Sequence, residues 1–159
     1  MSAIIGVLPG DRRRIPASHR DLVECPRVAA LTTVMPDGSP QTSVVWCDVD
    51  TDGERIRVNT MRGFQKERNM RRNPRVTLLC YDPADDGRYL EVRGVVEEMT
   101  EDGAMAHLDA LTSKYAGRPM RYFGECVRAD LEATEVPVLC RIRPTHVVAL
   151  DVHGAEARR

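Results

Sequence analysis

A chain of 159 residues, 42% hydrophobic and 30% charged, is long enough for one domain with a real core and too apolar to be disordered. Lys plus Arg number 23 and Asp plus Glu 24, a formal charge of −1 that argues against a globally basic nucleic-acid binder. No apolar run approaches the roughly 18 residues of a membrane span. The apolar patch near Met1 precedes Asp11-Arg12-Arg13-Arg14, the reverse of a secretory signal's order, so the expectation is a cytoplasmic protein.

Residues 1–20 lack periodicity and are expected to form an arm ahead of a single domain over 21–153. Val28 to Met35 is β-rich and ends at the turn Pro36-Asp37-Gly38-Ser39. Pro40 to Val49 reads as a second strand, closed by Asp50-Thr51-Asp52-Gly53. Arg55 to Thr60 alternates, with Ile56, Val58 and Thr60 on one face. The three strands predict an antiparallel meander. Gln65 to Arg72 is polar and helix-prone and stops at Asn73-Pro74. Val76 to Tyr81 is a fourth strand, 82–87 a loop, and Tyr89 to Met99 a fifth strand.

Thr100 is the expected N-cap of an amphipathic helix over 101–116, in which Met105, Leu108, Leu111 and Tyr115 recur at helical spacing. Gly117 closes it, and 120–134 is also expected to be helical. Val138 to Arg143 and His146 to Val152 read as two last strands separated by Pro144-Thr145, and 154–159 should fray. The fold class is mainly β, a small closed barrel with helical insertions.

The five cysteines (Cys25, Cys47, Cys80, Cys126 and Cys140) are odd in number and have no CxxC spacing, which argues against a disulfide framework or a zinc site. The four histidines have no metal-ligand spacing either. The densest charge lies in 62–75, where Arg62, Lys66, Arg68, Arg71, Arg72 and Arg75 face only Glu67. That run straddles the start of a helix, where free backbone N–H groups and the helix dipole favour an anion. Lysine is scarce, with only Lys66 and Lys114 present, and Lys66 supplies a point charge suited to phosphate. A solvated helix face is the alternative reading of the same run. Trp46 divides evenly between a core or interface role and ring contact. Tyr115, Tyr122 and Phe123 read as helix-face packing before pocket wall.

The segments Gly38-Ser39-Pro40-Gln41-Thr42-Ser43-Val44-Val45-Trp46, Asn59-Thr60 and Lys66 through Val76, followed late in the chain by Pro144-Thr145-His146-Val147, together resemble the pyridoxamine 5′-phosphate oxidase-like split β-barrel superfamily. Within it the chain is most similar to the deazaflavin-dependent flavin/deazaflavin oxidoreductases of subgroup B. The resemblance implies an obligate homodimer of split barrels with coenzyme F420, or alternatively FMN, in a groove between protomers. Position by position it makes Lys66 the phosphate-binding lysine. Asn59, Thr60 and Met61 become the strand end lining the cofactor, and Gln41, Ser43, Val44 and Trp46 the strand flanking its ring. Arg68 and Asn69 fall in the matching helix turn. The position two before the lysine, basic in related proteins, is Phe64 here, with Arg62 as a nearby substitute. The implied activity is hydride transfer from reduced deazaflavin to a small electrophilic or unsaturated substrate. The alternatives are an FMN-binding oxidase-like protein and a non-catalytic cofactor carrier.

Overall fold

The computed structural model describes residues 10–156, the last two by their backbone alone. Residues 1–9 of the expected arm and 157–159 of the expected frayed end lie outside the described residues. A 3-10 turn at Ala17–His19 and a short helix α1, Asp21–Glu24, lead into seven strands. These are β1 Ala29–Val34, β2 Pro40–Val45, β3 Cys47–Val49, β4 Ile56–Met61, β5 Arg75–Asp82, β6 Asp85–Thr100 and β7 Pro137–Asp151. Helix α2, Gln65–Arg72, joins β4 to β5; α3, Ala104–Ala116, lies between β6 and β7; α4, Val152–Glu156, follows β7.

The strands form one antiparallel sheet in the order β2-β1-β5-β6-β7-β4-β3. β2 and β3 are its opposite edges, yet only Trp46 separates them in the chain. Consecutive Cα atoms are about 3.8 Å apart, so the two edges have to meet at that residue. The sheet therefore curls into a barrel with its seam at Trp46. The expected strand Pro40–Val49 is in fact two half-strands. The first pairs with β1 (Ala29 opposite Val45), the second with β4 (Cys47 opposite Val58). The meander holds only in this broken form.

Strand alternation builds the core. Ile56, Val58 and Thr60 are buried on one face of β4, and Leu90 and Val92 on one face of β6. Fully buried leucines such as Leu31, Leu78 and Leu90 meet in the barrel interior, each contributing roughly 1.5–3 kcal/mol by leaving water. Ile15 and His19, within the expected arm, are buried too, and His19 Nε2 lies 2.9 Å from the Leu150 carbonyl.

Four boundaries differ from expectation. The two expected final strands are one, because Thr145 forms a bulge instead of a break. Buried positions run 138, 140, 142, 144 and then 147, 149, a change of phase that one extra residue produces. The Thr145 hydroxyl donates to the Arg93 carbonyl (3.1 Å), and Gly94 opposite has no room for a Cβ, which would sit 2.6 Å from Ile142 Cγ2. The expected 82–87 loop is a tight hairpin, with Asp82 opposite Asp85. Helix α3 starts at Ala104, not near Glu101, since Gly103 preceding it is left-handed (φ 70°) and the Thr100 hydroxyl accepts from Asp102 N in a turn. Of the helix expected over 120–134, only a 3-10 turn at Ala129–Ala133 forms. The Asp109 carboxylate takes the Tyr122 amide (2.7 Å), and Val127 N bonds the Tyr122 carbonyl (2.9 Å), a compact loop that covers α3.

Candidate functional site

Helix α2 begins where the sequence places it, and its first turn is held from within. Glu67, buried beneath it, accepts from Gly63 N (3.1 Å) and from Arg71. Arg62, Arg68 and Arg72 of this run are also engaged. Arg62 pairs with Glu101 (Nε to Oε1, 2.7 Å), Arg68 bonds Gln65 Oε1 (2.7 Å) and the Gly63 carbonyl, and Arg72 bonds the Val34 carbonyl. Arg62 is therefore not available as a second phosphate cation while that pair holds. Lys66 differs. Its Nζ lies 5.7 Å from the Phe64 ring centre and has no carboxylate within ion-pair distance among the described residues. Burial pushes its ammonium below the ordinary lysine value.

Lys66 looks into a cavity of about 220 Å³ between the barrel seam, the end of β4, the start of α2 and one face of α3. Trp46, Phe64 and Tyr122 supply aromatic walls, and Leu108 and Leu111 an aliphatic one. Trp46 stacks on Tyr115 at 5.0 Å and meets Tyr122 edge-on at 6.5 Å. Such pairs add about 0.5–1.5 kcal/mol each beyond burial. The Tyr115 hydroxyl donates to the Arg27 carbonyl (2.6 Å) and accepts from Cys47 N (3.1 Å), so the seam is pinned from both sides. Burial raises the hydroxyl pKa of Tyr122, with Glu135 and Cys126 adding to it.

Of the ten residues singled out in the sequence, Val44, Trp46, Asn59, Thr60, Met61 and Lys66 line this one cavity. The other four do not. Gln41 Oε1 accepts from the Thr33 hydroxyl (2.9 Å), and Asn69 donates to the same hydroxyl (2.9 Å), so Gln41 ties β2 to β1 and Asn69 braces β1 against α2. Arg68 closes the α2 turn as described, and Ser43 Oγ is buried without a partner among the described residues. Asn59 Nδ2 donates to the Ala104 carbonyl (2.8 Å), while its Oδ1 is buried with no partner among the described residues. A tricyclic ring with an anionic tail fits this set in kind: one uncommitted cation and aromatic and aliphatic walls.

A profile of the family described as pyridoxamine 5′-phosphate oxidase matches residues 15–155. The chain belongs to that family. Among solved structures, an F420 reductase is similar to this family member at 34% identity, over 84% of this chain and 98% of the reductase, with a TM-score of 0.69. A conserved hypothetical protein of Mycobacterium tuberculosis is 26% identical over 91% of this chain and 89% of its own, also at TM-score 0.69. Group A Streptococcus HupZ, 18% identical with a TM-score of 0.59 over 86% of this chain and 94% of its own, shares the fold. No curated protein matches the chain. The split β-barrel expected from the resemblance is the fold of this family member.

Five residues of the cavity were not among the expected ones: Val45, Phe64, Leu108, Leu111 and Tyr122. Leu108 and Leu111 carry a helical core signal, and one apolar stripe both packs α3 and forms the wall. Tyr122 reads as packing, yet it packs and lines at once. No sequence signal joins Asp48, Arg57 and His107, which meet behind the cavity: Arg57 clamps Asp48 (2.8 and 2.6 Å), and His107 Nε2 lies 3.1 Å from Asp48 Oδ1. Burial works against the charge on Asp48. The bonds from His107 and Arg57 outweigh it and hold the carboxyl below its ordinary value.

Proposed function

We propose that this chain is one protomer of a homodimeric oxidoreductase that binds coenzyme F420, with FMN as the alternative cofactor. It passes a hydride from the reduced deazaflavin to a small electrophilic or unsaturated substrate. The observation that carries the reading is Lys66: a half-buried ammonium without a carboxylate partner, facing an aromatic-walled cavity. The 34% identity to an F420 reductase supports deazaflavin over FMN. When bound, the cofactor supplies the hydride chemistry. Lys66 holds its phosphate; Trp46, Tyr122 and Phe64 flank the ring and exclude water; Asn59, Thr60 and Met61 line the strand end beneath it.

The dimer follows from what one protomer lacks. A cavity of about 220 Å³ falls below the roughly 300–1,000 Å³ typical of ligand sites. Val44 stands on its rim at 69% exposure, and Leu79 and Tyr81 on the neighbouring outer face are also exposed. A second copy seated on that face covers all three and completes the groove.

Incubation with F420 or FMN followed by desalting and an absorption spectrum tests the cofactor. Stopped-flow oxidation of bound reduced F420 by enones and quinones tests turnover. Retained F420 that no acceptor oxidises means a carrier. A light-scattering mass of 17.8 kDa, the single-chain value, overturns the dimer.

A further inference from the structure

Arginines gather again at the opposite end of β4 from Lys66. That strand pairs with β7 only as far as Ile56 opposite Ile142. The N-terminal arm takes over at Val147, whose N–H donates to the Arg12 carbonyl (2.5 Å). Arg143 to His146 lie between those two pairings, and Pro144 has no N–H to offer a neighbour. The gap holds a cavity of about 590 Å³, within the roughly 300–1,000 Å³ of ligand sites. The arm that walls it is anchored by Ile15, buried in the core, and by the bond at Val147.

Five arginines line this cavity: Arg13 and Arg14 from the arm, Arg20 ahead of α1, Arg55 just before β4 and Arg143 on β7. Glu97 on β6, outside the lining, accepts from Arg55 Nε (2.9 Å) with one oxygen and from Arg143 Nε with the other. One carboxylate thus holds two guanidiniums by their Nε atoms, and the Nη nitrogens of both take no hydrogen bond among the described residues. Arg20 Nη2 donates to the Gly53 carbonyl (2.6 Å), in a place that a Cβ on Gly53 would occupy, 2.4 Å away. Arg14 is matched by Glu54 (2.6 Å). Arg20 meets Glu24 only at 3.8 Å, and the Arg13 side chain has no partner among the described residues. Asp50 is occupied by the amides of Glu54 and Arg55 within the turn. Asp52, also on the wall, forms no ion pair among the described residues and offsets only part of the remaining positive charge.

We propose that this cavity is a second binding site, separate from that of Lys66, for a small aliphatic anion carrying two or more carboxylate or phosphate groups. Guanidinium forks match both kinds of oxyanion bidentately. Arg55 and Arg143, locked together from the sheet, form one pole of the site, and Arg13 on the arm forms the other. The apolar part of the wall is Ile15, Ala17 and Pro144, which suits a short carbon skeleton. It has no aromatic side chain on which a nucleobase or a flavin ring could stack. The site is independent of the cofactor reading above and stands whether or not F420 binds.

The test titrates the ¹⁵N-labelled full chain with citrate, pyrophosphate and acetate at constant ionic strength and follows the backbone amides by NMR. Citrate or pyrophosphate is expected to move the amides of Arg14, Gly53 and Arg143 to saturation, and the tighter of the two names the oxyanion. Acetate, with one charge, is expected to bind at least about 10-fold more weakly. Arg13→Gln, which has no side-chain bond to lose, should weaken citrate or pyrophosphate by about 10-fold at an unchanged melting temperature. Arg143→Gln should weaken them by as much or more; if it does not fold, Arg13→Gln decides. Shifts that fail to saturate overturn the inference, as does acetate binding as tightly as citrate and pyrophosphate. Shifts centred on Phe64 and Lys66 also overturn it, because the anion has then gone to the first cavity. Equal affinity of wild type and Arg13→Gln overturns it as well. None of these results touches the cofactor reading, which is decided by F420 itself.

Discussion

Lys66 and Lys114 are the two lysines of the chain, and the structure treats their burial alike. Each is half-buried, each ammonium is pushed down mainly by that burial, and neither meets a carboxylate within ion-pair distance among the described residues. Their donors end differently. Lys114 Nζ bonds the Cys47 carbonyl (2.9 Å) and the Val23 carbonyl (3.1 Å), tying α3 to α1 and to the barrel seam. Lys66 has the Phe64 ring and the cavity. What separates a structural lysine from a binding lysine here is whether its hydrogen-bond donors are already used. Desolvation alone does not distinguish them.

The strongest way to break this comparison is to remove the structural lysine. Lys114→Met keeps the apolar stem and leaves two carbonyls without their charged donor, an expected loss of about 2–4 kcal/mol in a denaturant titration. A change below about 0.5 kcal/mol would make Lys114 as idle as Lys66 is in the free protein. Lys66→Ala is the reciprocal case. Stability stays near wild type, while F420 affinity drops by about 1.5–3 kcal/mol, roughly 10- to 150-fold, with a shallower salt dependence by calorimetry.

Arg118, exposed and, among the described residues, bonded only to the adjacent Pro119 carbonyl, is the fitting neutral control. Arg88 reads in the sequence as a loop residue suited to that role, and the structure corrects this. It lies on β6 and bonds Asp21 (2.6 and 3.0 Å), Asp82 (3.2 Å) and the Ser18 carbonyl.

Acidity sharpens the contrast further. Phosphate requires the ammonium form, and the Lys66 pKa lies below the ordinary 10.5. F420 affinity is therefore full below that lowered value and declines as pH rises through it, earlier than an ordinary lysine dictates. Lys66→Arg, charged throughout the range, removes the alkaline decline. A smaller effect falls at the other end of the scale. The hydrogen bond from Arg88 is the main cause holding Asp21 below its ordinary 3.8. A lowered carboxylate stabilises the fold above its unfolded pKa and loses that contribution as pH falls through the folded value. Arg88→Ala should flatten the acid limb of the stability profile and leave the neutral limb's slope unchanged.

Much of this was legible because it is local. Alternation in Arg55–Thr60 gives the buried face of β4, and the polar run ending at Asn73-Pro74 gives α2 to the residue. The Trp46 break was not legible. Val44, Val45 and Val49 read as one strand, and only the curl of the sheet decides that its halves belong to opposite edges. The Thr145 bulge hid for the opposite reason, since the strong local breaker beside it, Pro144, is absorbed when the Thr145 hydroxyl bonds a strand 52 residues earlier. Lys66 stood out against an arginine-rich background. Asp48, Arg57 and His107 did not, because the partnership they form with Asn59 joins β3, β4 and α3 and depends on directions that spacing does not encode.

The single-residue crossing at Trp46 also makes the cavity a fastener. The hairpin of β1 and β2 and the pair of β3 and β4 are held at opposite ends of the sheet, and the side chain that closes the gap between them is also a wall of the cavity. Anything that fills the cavity clamps the two ends together, so a ligand there acts on the whole barrel through one indole. Amide exchange at Val45 and Cys47 should slow on F420 binding by more than exchange at the centre of β6, which is already enclosed by neighbours on both sides. Occupancy of a small pocket would then be readable as the mechanical closure of the entire sheet.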